Sequence, residues 1–173
     1  MTKFRVCNQT SVSVSQTDGN KCVLALTTHS SDGAGNGNVQ TGGQGSKRPR
    51  VIGFGIYCGK PSSGTIYNVA IQLRCLGGAA TGTDVTPVAL DPRWNGTGRA
   101  GGVSGKMSPT GGTILKTFFI SGDGGYEYIA PPGLEDCLDA DSSGRERLGI
   151  FVNVTADAGA TAGNFTAYFI YEE

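Results

Sequence analysis

No window of about a dozen residues carries apolar side chains at i, i+3, i+4 and i+7, so the chain has no stretch that would form an amphipathic helix. Cys-x-x-Cys is absent and the only histidine is His29, which leaves a zinc site without its usual ligand spacing. No apolar run is long enough to span a membrane as a helix. The opening Met1–Cys7 shows neither an apolar h-region nor a small-residue cleavage site, and no secretory signal is expected. Excess charge of one sign is missing too. With 14 basic and 14 acidic residues, the chain lacks the basic surplus from which general phosphate binding draws its affinity. Nucleic acid and membrane are therefore not the expected partners.

Glycine is what the chain has in plenty: 29 of 173 residues, about twice the ordinary share of ~7%. That frequency of turns and bends suits many short strands. Five cysteines, Cys7, Cys22, Cys58, Cys75 and Cys137, are odd in number and widely spaced, and four lie in or beside apolar runs. They read as small buried hydrophobes in a reducing compartment.

Strand signals recur along the chain. Phe4–Cys7 is a short edge strand or arm. Thr10–Ser15 alternates polar with apolar, and after the turn at Asp18-Gly19-Asn20 comes Cys22–Thr27, which reads as an opening hairpin. Residues 28–50 carry one large apolar side chain, Val39, and end in Lys47-Arg48-Pro49-Arg50; this is expected to be a flexible glycine-rich insertion, ordered by a partner. Val51–Cys58 and Thr65–Cys75 read as a second hairpin. A loose Gly/Pro-rich segment from Gly77 to Gly112 follows, with Trp94 anchoring its loop to a sheet face. Thr113–Ile120 and Tyr126–Ile129 flank a glycine turn. The chain closes with Leu148–Thr155 and Asn164–Tyr171, which read as two paired antiparallel strands. The expected fold is an all-β antiparallel sandwich in a single domain, of jelly-roll or immunoglobulin-like topology, with about eight strands.

No constellation points to catalysis. His29, Ser30, Ser31 and Asp32 supply the residue types of a triad, but neighbours on a glycine-rich loop cannot hold a nucleophile and base in register. Asp139 and Asp141 open a calcium-loop pattern, D-x-D-x-S-G, but Ile150 stands where the bidentate acid belongs. Gly98–Ser108 brushes the phosphate-loop pattern without its strand-to-helix setting. The four Asn-x-Ser/Thr matches, at Asn8, Asn95, Asn153 and Asn164, read as chance. A non-enzyme without cofactor or metal is expected. Alternation must send one of Phe118 and Phe119, and one of Tyr168 and Phe169, out of the core, and outward aromatics serve sugar platforms or subunit interfaces.

The Gly/Thr/Ala-rich closing segment Phe151–Tyr168, in a small β chain, resembles the structural β-sandwich proteins of phage virions, especially head decoration or cement proteins. The resemblance implies a virion component, often trimeric, that stabilises a head by binding capsid subunits. Candidate contacts are the N-terminal residues to Cys7 and the 28–50 insertion, with Lys47, Arg48, Arg50, Trp94, Tyr168 and Tyr171 as the side chains. Two other readings stay open. A carbohydrate-binding or receptor-binding sandwich would use an exposed Trp94 or tyrosines, and the main coat protein of a small virus would turn Lys47–Arg50 toward its genome.

Overall fold

The computed structural model describes residues 3–8, 10–27, 50–59, 66–77, 83–85, 88–91, 101–104, 113–133, 136–137, 146–156 and 163–172. The strands in chain order are β1 (Lys3–Cys7), β2 (Val12–Val14), β3 (Lys21–Thr27), β4 (Arg50–Gly59), β5 (Ile66–Gly77), β6 (Thr83–Val85) and β7 (Val88–Ala89). They continue with β8 (Gly101–Ser104), β9 (Thr113–Ile120), β10 (Gly125–Ile129), β11 (Asp136–Cys137), β12 (Glu146–Ala156) and β13 (Gly163–Glu172). A single 3-10 turn at Gln16–Asp18 is the only helical element among the described residues. The all-β expectation holds.

Two antiparallel sheets stack on each other. The first runs β10-β4-β13-β1-β7, with β11 also on β4 and β2 also on β13; the second runs β6-β8-β3-β12-β5-β9. Counting β1 and β2 as one strand and leaving aside the short β6, β7, β8 and β11, the first sheet orders its strands first, eighth, third, sixth and the second orders them second, seventh, fourth, fifth. This is a jelly roll, in which successive long strands alternate between sheets except for β5 and β9, which are neighbours in the second.

That alternation corrects three expectations at once. β2 pairs with β13 while β3 pairs with β12 and β8, so the opening pair is not a hairpin. β4 pairs with β13, β10 and β11, whereas β5 pairs with β12 and β9. The closing strands β12 and β13 likewise lie in opposite sheets and face each other across the core. Short apolar strands signal their own existence but not their partners, and a link of a few residues reaches a strand ~10 Å away in the other sheet as readily as one ~5 Å away in its own.

The links also give the sandwich two unlike ends. Connections 15–20, 60–65, 121–124 and 157–162 are each too short to run back along a ten-residue strand such as β4, about 33 Å long. The strand ends they join must therefore lie at one end of the sandwich. The longer connections 28–49, 78–112 and 130–145 leave from strand ends at the other. The insertion expected at 28–50 lies outside the described residues except for Arg50, which opens β4, and Trp94, Asp139 and Asp141 lie outside them too.

The core fills the space between the sheets. Along β13, Phe165, Ala167, Phe169 and Tyr171 point inward and meet Phe4 and Val6 of β1, Phe54 and Ile56 of β4, and, from the second sheet, Leu24, Ile71, Ile150 and Val152. Each such side chain contributes roughly 1.5–3 kcal/mol by leaving water, with Ala167 well below that range. Cys22 and Cys58 are buried, and burial pushes the Cys22 thiol up to about 12, so it behaves as an apolar filler as the sequence suggested. Cys7, Cys22, Cys58 and Cys75 are free thiols.

Between β1 and β2 the first strand breaks, and the buried Asn8 repairs the ladder. Its backbone N–H donates to the Ala167 carbonyl at 3.2 Å, while its side-chain Oδ1 accepts from the Ala167 N–H at 2.6 Å. Its Nδ2 donates to the Thr10 and Phe165 carbonyls at 2.8 and 3.0 Å. The first Asn-x-Thr match is therefore a structural hydrogen-bonding residue. Asn8→Ala leaves the Ala167 N–H and Phe165 carbonyl without these partners, and chemical denaturation should show a loss of about 2–4 kcal/mol at unchanged m-value. A loss below ~0.5 kcal/mol would contradict this assignment.

Candidate functional site

Two surfaces stand out among the described residues. On the outer face of the first sheet, alternation turns Arg5 of β1, Tyr168 of β13, Gly55 and Tyr57 of β4, and Gly125 and Glu127 of β10 away from the core. Register places Tyr168 opposite Gly55, and Gly125 opposite Tyr57. Each tyrosine lies over the neighbouring strand's glycine: a Cβ on Gly55 would sit 2.4 Å from the Tyr168 ring, and one on Gly125 would sit 2.4 Å from the Tyr57 ring. Any larger residue at either position would lift the ring off the sheet. The two rings are 6.4 Å apart and inclined by 28°.

Glu127 joins them. Tyr168 Oη donates to Glu127 Oε1 at 2.7 Å, and Tyr57 Oη donates to the same oxygen. The Arg5 guanidinium sits 4.2 Å from the centre of the Tyr168 ring. Hydrogen bonds from Tyr57 first, then Tyr168, hold the Glu127 carboxyl below its ordinary range. Burial first and the bond to Glu127 second push the Tyr168 phenol up. The result is an ionised carboxylate fixed between two neutral phenols, with a cation alongside.

The second surface is the lateral edge formed by β9 and β10. Among the described residues β9 pairs only with β5 and β10 only with β4, so each has one row of backbone N–H and C=O groups unpaired by a strand. Phe119 is 73% exposed, Ile129 77%, Ile114 48% and Leu115 43%. Between the sheets at this edge, Phe118 stacks on Tyr126 with centroids 4.4 Å apart and also meets Phe54 and Tyr128. The one charge on β9, Lys116, turns inward: its Nζ lies 4.4 Å from the Tyr128 ring centre and 3.2 Å from Tyr128 Oη. No charged side chain remains on the outer face of β9 to discourage a second strand. At the opposite edges β6 and β7 are only three and two residues long.

The residues expected as contacts fare differently. Tyr168 is on the outer face, as alternation allowed. Tyr171, three positions on and so of opposite parity, is fully buried and stacks on Phe4 at 5.6 Å, which corrects its assignment as a contact. The N-terminal strand is likewise no free arm, for Phe4 and Val6 are buried and β1 is paired on both sides. Arg50 opens β4, and its Nη2 pairs with Glu172 Oε2 at 2.7 Å, so its charge serves to tie β4 to β13. Lys47, Arg48, Trp94, Asp139, Asp141 and His29 lie outside the described residues. Of the outward aromatic choices, Phe119 and Tyr168 leave the core while Phe169 stays in it. Glu127, Arg5 and Tyr57 were not singled out by sequence reasoning; only the pairing of Tyr with Gly on adjacent strands, invisible before register is known, marks them.

Among the described residues no group of His, Cys, Asp and Glu is arranged to hold a metal ion, and no helix is long and apolar enough to cross a membrane. No family model, curated protein or solved structure matches the chain.

The Arg50–Glu172 pair, joined by Lys3 at 3.7 Å from Glu172, makes a pH prediction. The hydrogen bond from Arg50, then its charge and that of Lys3, hold the Glu172 carboxyl below its ordinary value against the opposing pull of burial. A carboxyl lowered in the folded state contributes stability fully above the unfolded value of about 4.3, and that contribution disappears as pH falls through the folded value. The stability advantage over Glu172→Gln should thus be constant above about pH 5 and shrink toward zero in acid, as read by denaturant melts across pH. An advantage that grows on acidification would contradict the pairing.

Proposed function

We propose that this chain is a virion structural protein, a jelly-roll subunit that stabilises a phage head by binding capsid subunits and copies of itself. The observation that carries this reading is the open β9–β10 edge: strands without a further strand beside them among the described residues, flanked by Phe119, Leu115, Ile114 and Ile129, with no charge on the outer face of β9. Ordinary monomers blunt such edges, because unpaired strands recruit further strands. In a shell the same feature becomes the joint, and each weak lateral contact is multiplied by the number of copies engaged. Evenly balanced charge supports neighbours of the same kind, since it gives no long-range repulsion between copies.

The strand order favours a second reading, the main coat protein of a small virus, because capsid shells are also built from eight-stranded jelly rolls. The same architecture serves lectins and cupins, so the fold alone does not choose. The absence of net basic charge ranks decoration above coat, since a coat that packages its own genome draws on a basic surplus.

Native mass measurement should find an oligomer, with a trimer as the expected state. The double variant Leu115→Lys/Phe119→Lys, which puts two charges on the outer face of β9, should stay folded and lose at least tenfold in self-association. A wild-type chain that stays monomeric at high concentration and binds no capsid lattice would overturn the proposal. Particles formed from the chain alone would select the coat reading.

A further inference from the structure

We infer that the outer face of the first sheet carries a shallow binding site for a neutral pyranose sugar, centred on Tyr57 with Glu127 and Arg5 at its sides. The site lies on a different surface from the β9–β10 edge, and its existence does not depend on the virion reading.

The argument begins with the ring. Tyr57 remains 44% exposed although its hydroxyl is tied to Glu127 and Gly125 lies directly beneath it. Glycine at 125 lets the ring lie down on the sheet, so an aromatic surface is available to solvent in a fixed orientation. A pyranose has one face of C–H bonds and a periphery of hydroxyls; the C–H face packs on such a ring, and the hydroxyls need polar partners at the ring's margin.

Those partners are present. Glu127 spends Oε1 on Tyr57 and Tyr168, and these two bonds fix the carboxylate while Oε2 makes no hydrogen bond among those found for the described residues. An ionised, oriented carboxylate accepts strongly from sugar hydroxyls. Arg5, held over Tyr168, supplies donors to hydroxyl and ring oxygens. One carboxylate and one guanidinium balance, so the patch offers no surplus charge to favour an acidic sugar. Tyr168 differs from Tyr57 in role. With Gly55 beneath it and Arg5 over its ring, it buttresses the site and positions Glu127 rather than presenting a free face.

The direct test is a titration of the full chain with methyl glucoside, methyl galactoside, N-acetylglucosamine and their short β-linked oligomers, followed by backbone amide chemical shifts, with glucuronate as the acidic control. One or more neutral probes should shift the amides around Arg5, Tyr57, Glu127 and Tyr168, with a Kd on the order of 1 mM. Tyr57→Ala should weaken that probe at least tenfold and Glu127→Gln at least threefold, while Tyr57→Phe, which keeps the ring, retains most of the binding. If Tyr57→Ala does not fold, the contrast between Glu127→Gln and Tyr57→Phe decides in its place. The Leu115→Lys/Phe119→Lys variant should bind the probe like wild type, which separates a failure of this site from a failure of the edge. Absence of shifts with every neutral probe, equal affinity of Tyr57→Ala and wild type, or a preference for glucuronate would each overturn the inference.

Discussion

The position of the last strand between the first and the fourth is the constraint on which the rest of the structure depends. β13 lies between β1 and β4 in the ladder, and its alternate residues Phe165, Ala167, Phe169 and Tyr171 enter the core with no exposure. Asn8 continues that pairing across the break between β1 and β2, and Glu172 closes it at the far end through Arg50 and Lys3. With β1 and β4 on either side of β13, the steps from β2 to β3, β4 to β5, β9 to β10 and β12 to β13 each cross between sheets, whereas β5 and β9 are neighbours in the second. β12 then occupies the matching place in the second sheet, between β3 and β5.

This closure determines where unsatisfied surface remains. β9 and β10 lie at one lateral edge and have no further strand to pair with among the described residues. On the other edges short strands from the 78–112 connection extend both sheets, β7 beside β1 and β8 with β6 beside β3. One side of the sandwich is thus extended by short strands from the 78–112 connection, and the other ends at β9 and β10 among the described residues. The tyrosine patch belongs to the same framework: Arg5, Tyr168, Tyr57 and Glu127 come from β1, β13, β4 and β10, four adjacent strands of the first sheet, and meet only because β13 is inserted between β1 and β4.

Much of the fold was legible in the sequence, because glycine content and period-two runs mark strands directly: Thr113–Ile120 is found over the very residues expected, and Val51–Cys58 and Asn164–Tyr171 within a residue or so. Pairing was not legible, since a link as short as residues 157–162 serves two strands in different sheets as well as it would serve a hairpin. The burial of Tyr171 was available in principle: if Phe165 and Phe169 face inward, a residue an even number of positions away faces inward too, and Tyr168 does not. The Tyr57–Glu127–Tyr168 network was out of reach, because it depends on Gly55 and Gly125 standing opposite tyrosines in the ladder. Of the basic and aromatic candidates, only Arg50, Tyr168 and Tyr171 fall among the described residues. Of these, only Tyr168 remains at a candidate surface.

The most direct test of a core locked by β13 and a joint left at β9–β10 is amide hydrogen exchange, read residue by residue in dilute and in assembled protein. Amides of β13 should be protected to the level of global unfolding in both, whereas the outward amides of β9 and β10 should exchange quickly when dilute and slow by at least tenfold on assembly. Rapid exchange along β13, or β9 and β10 amides indifferent to assembly, would contradict the account.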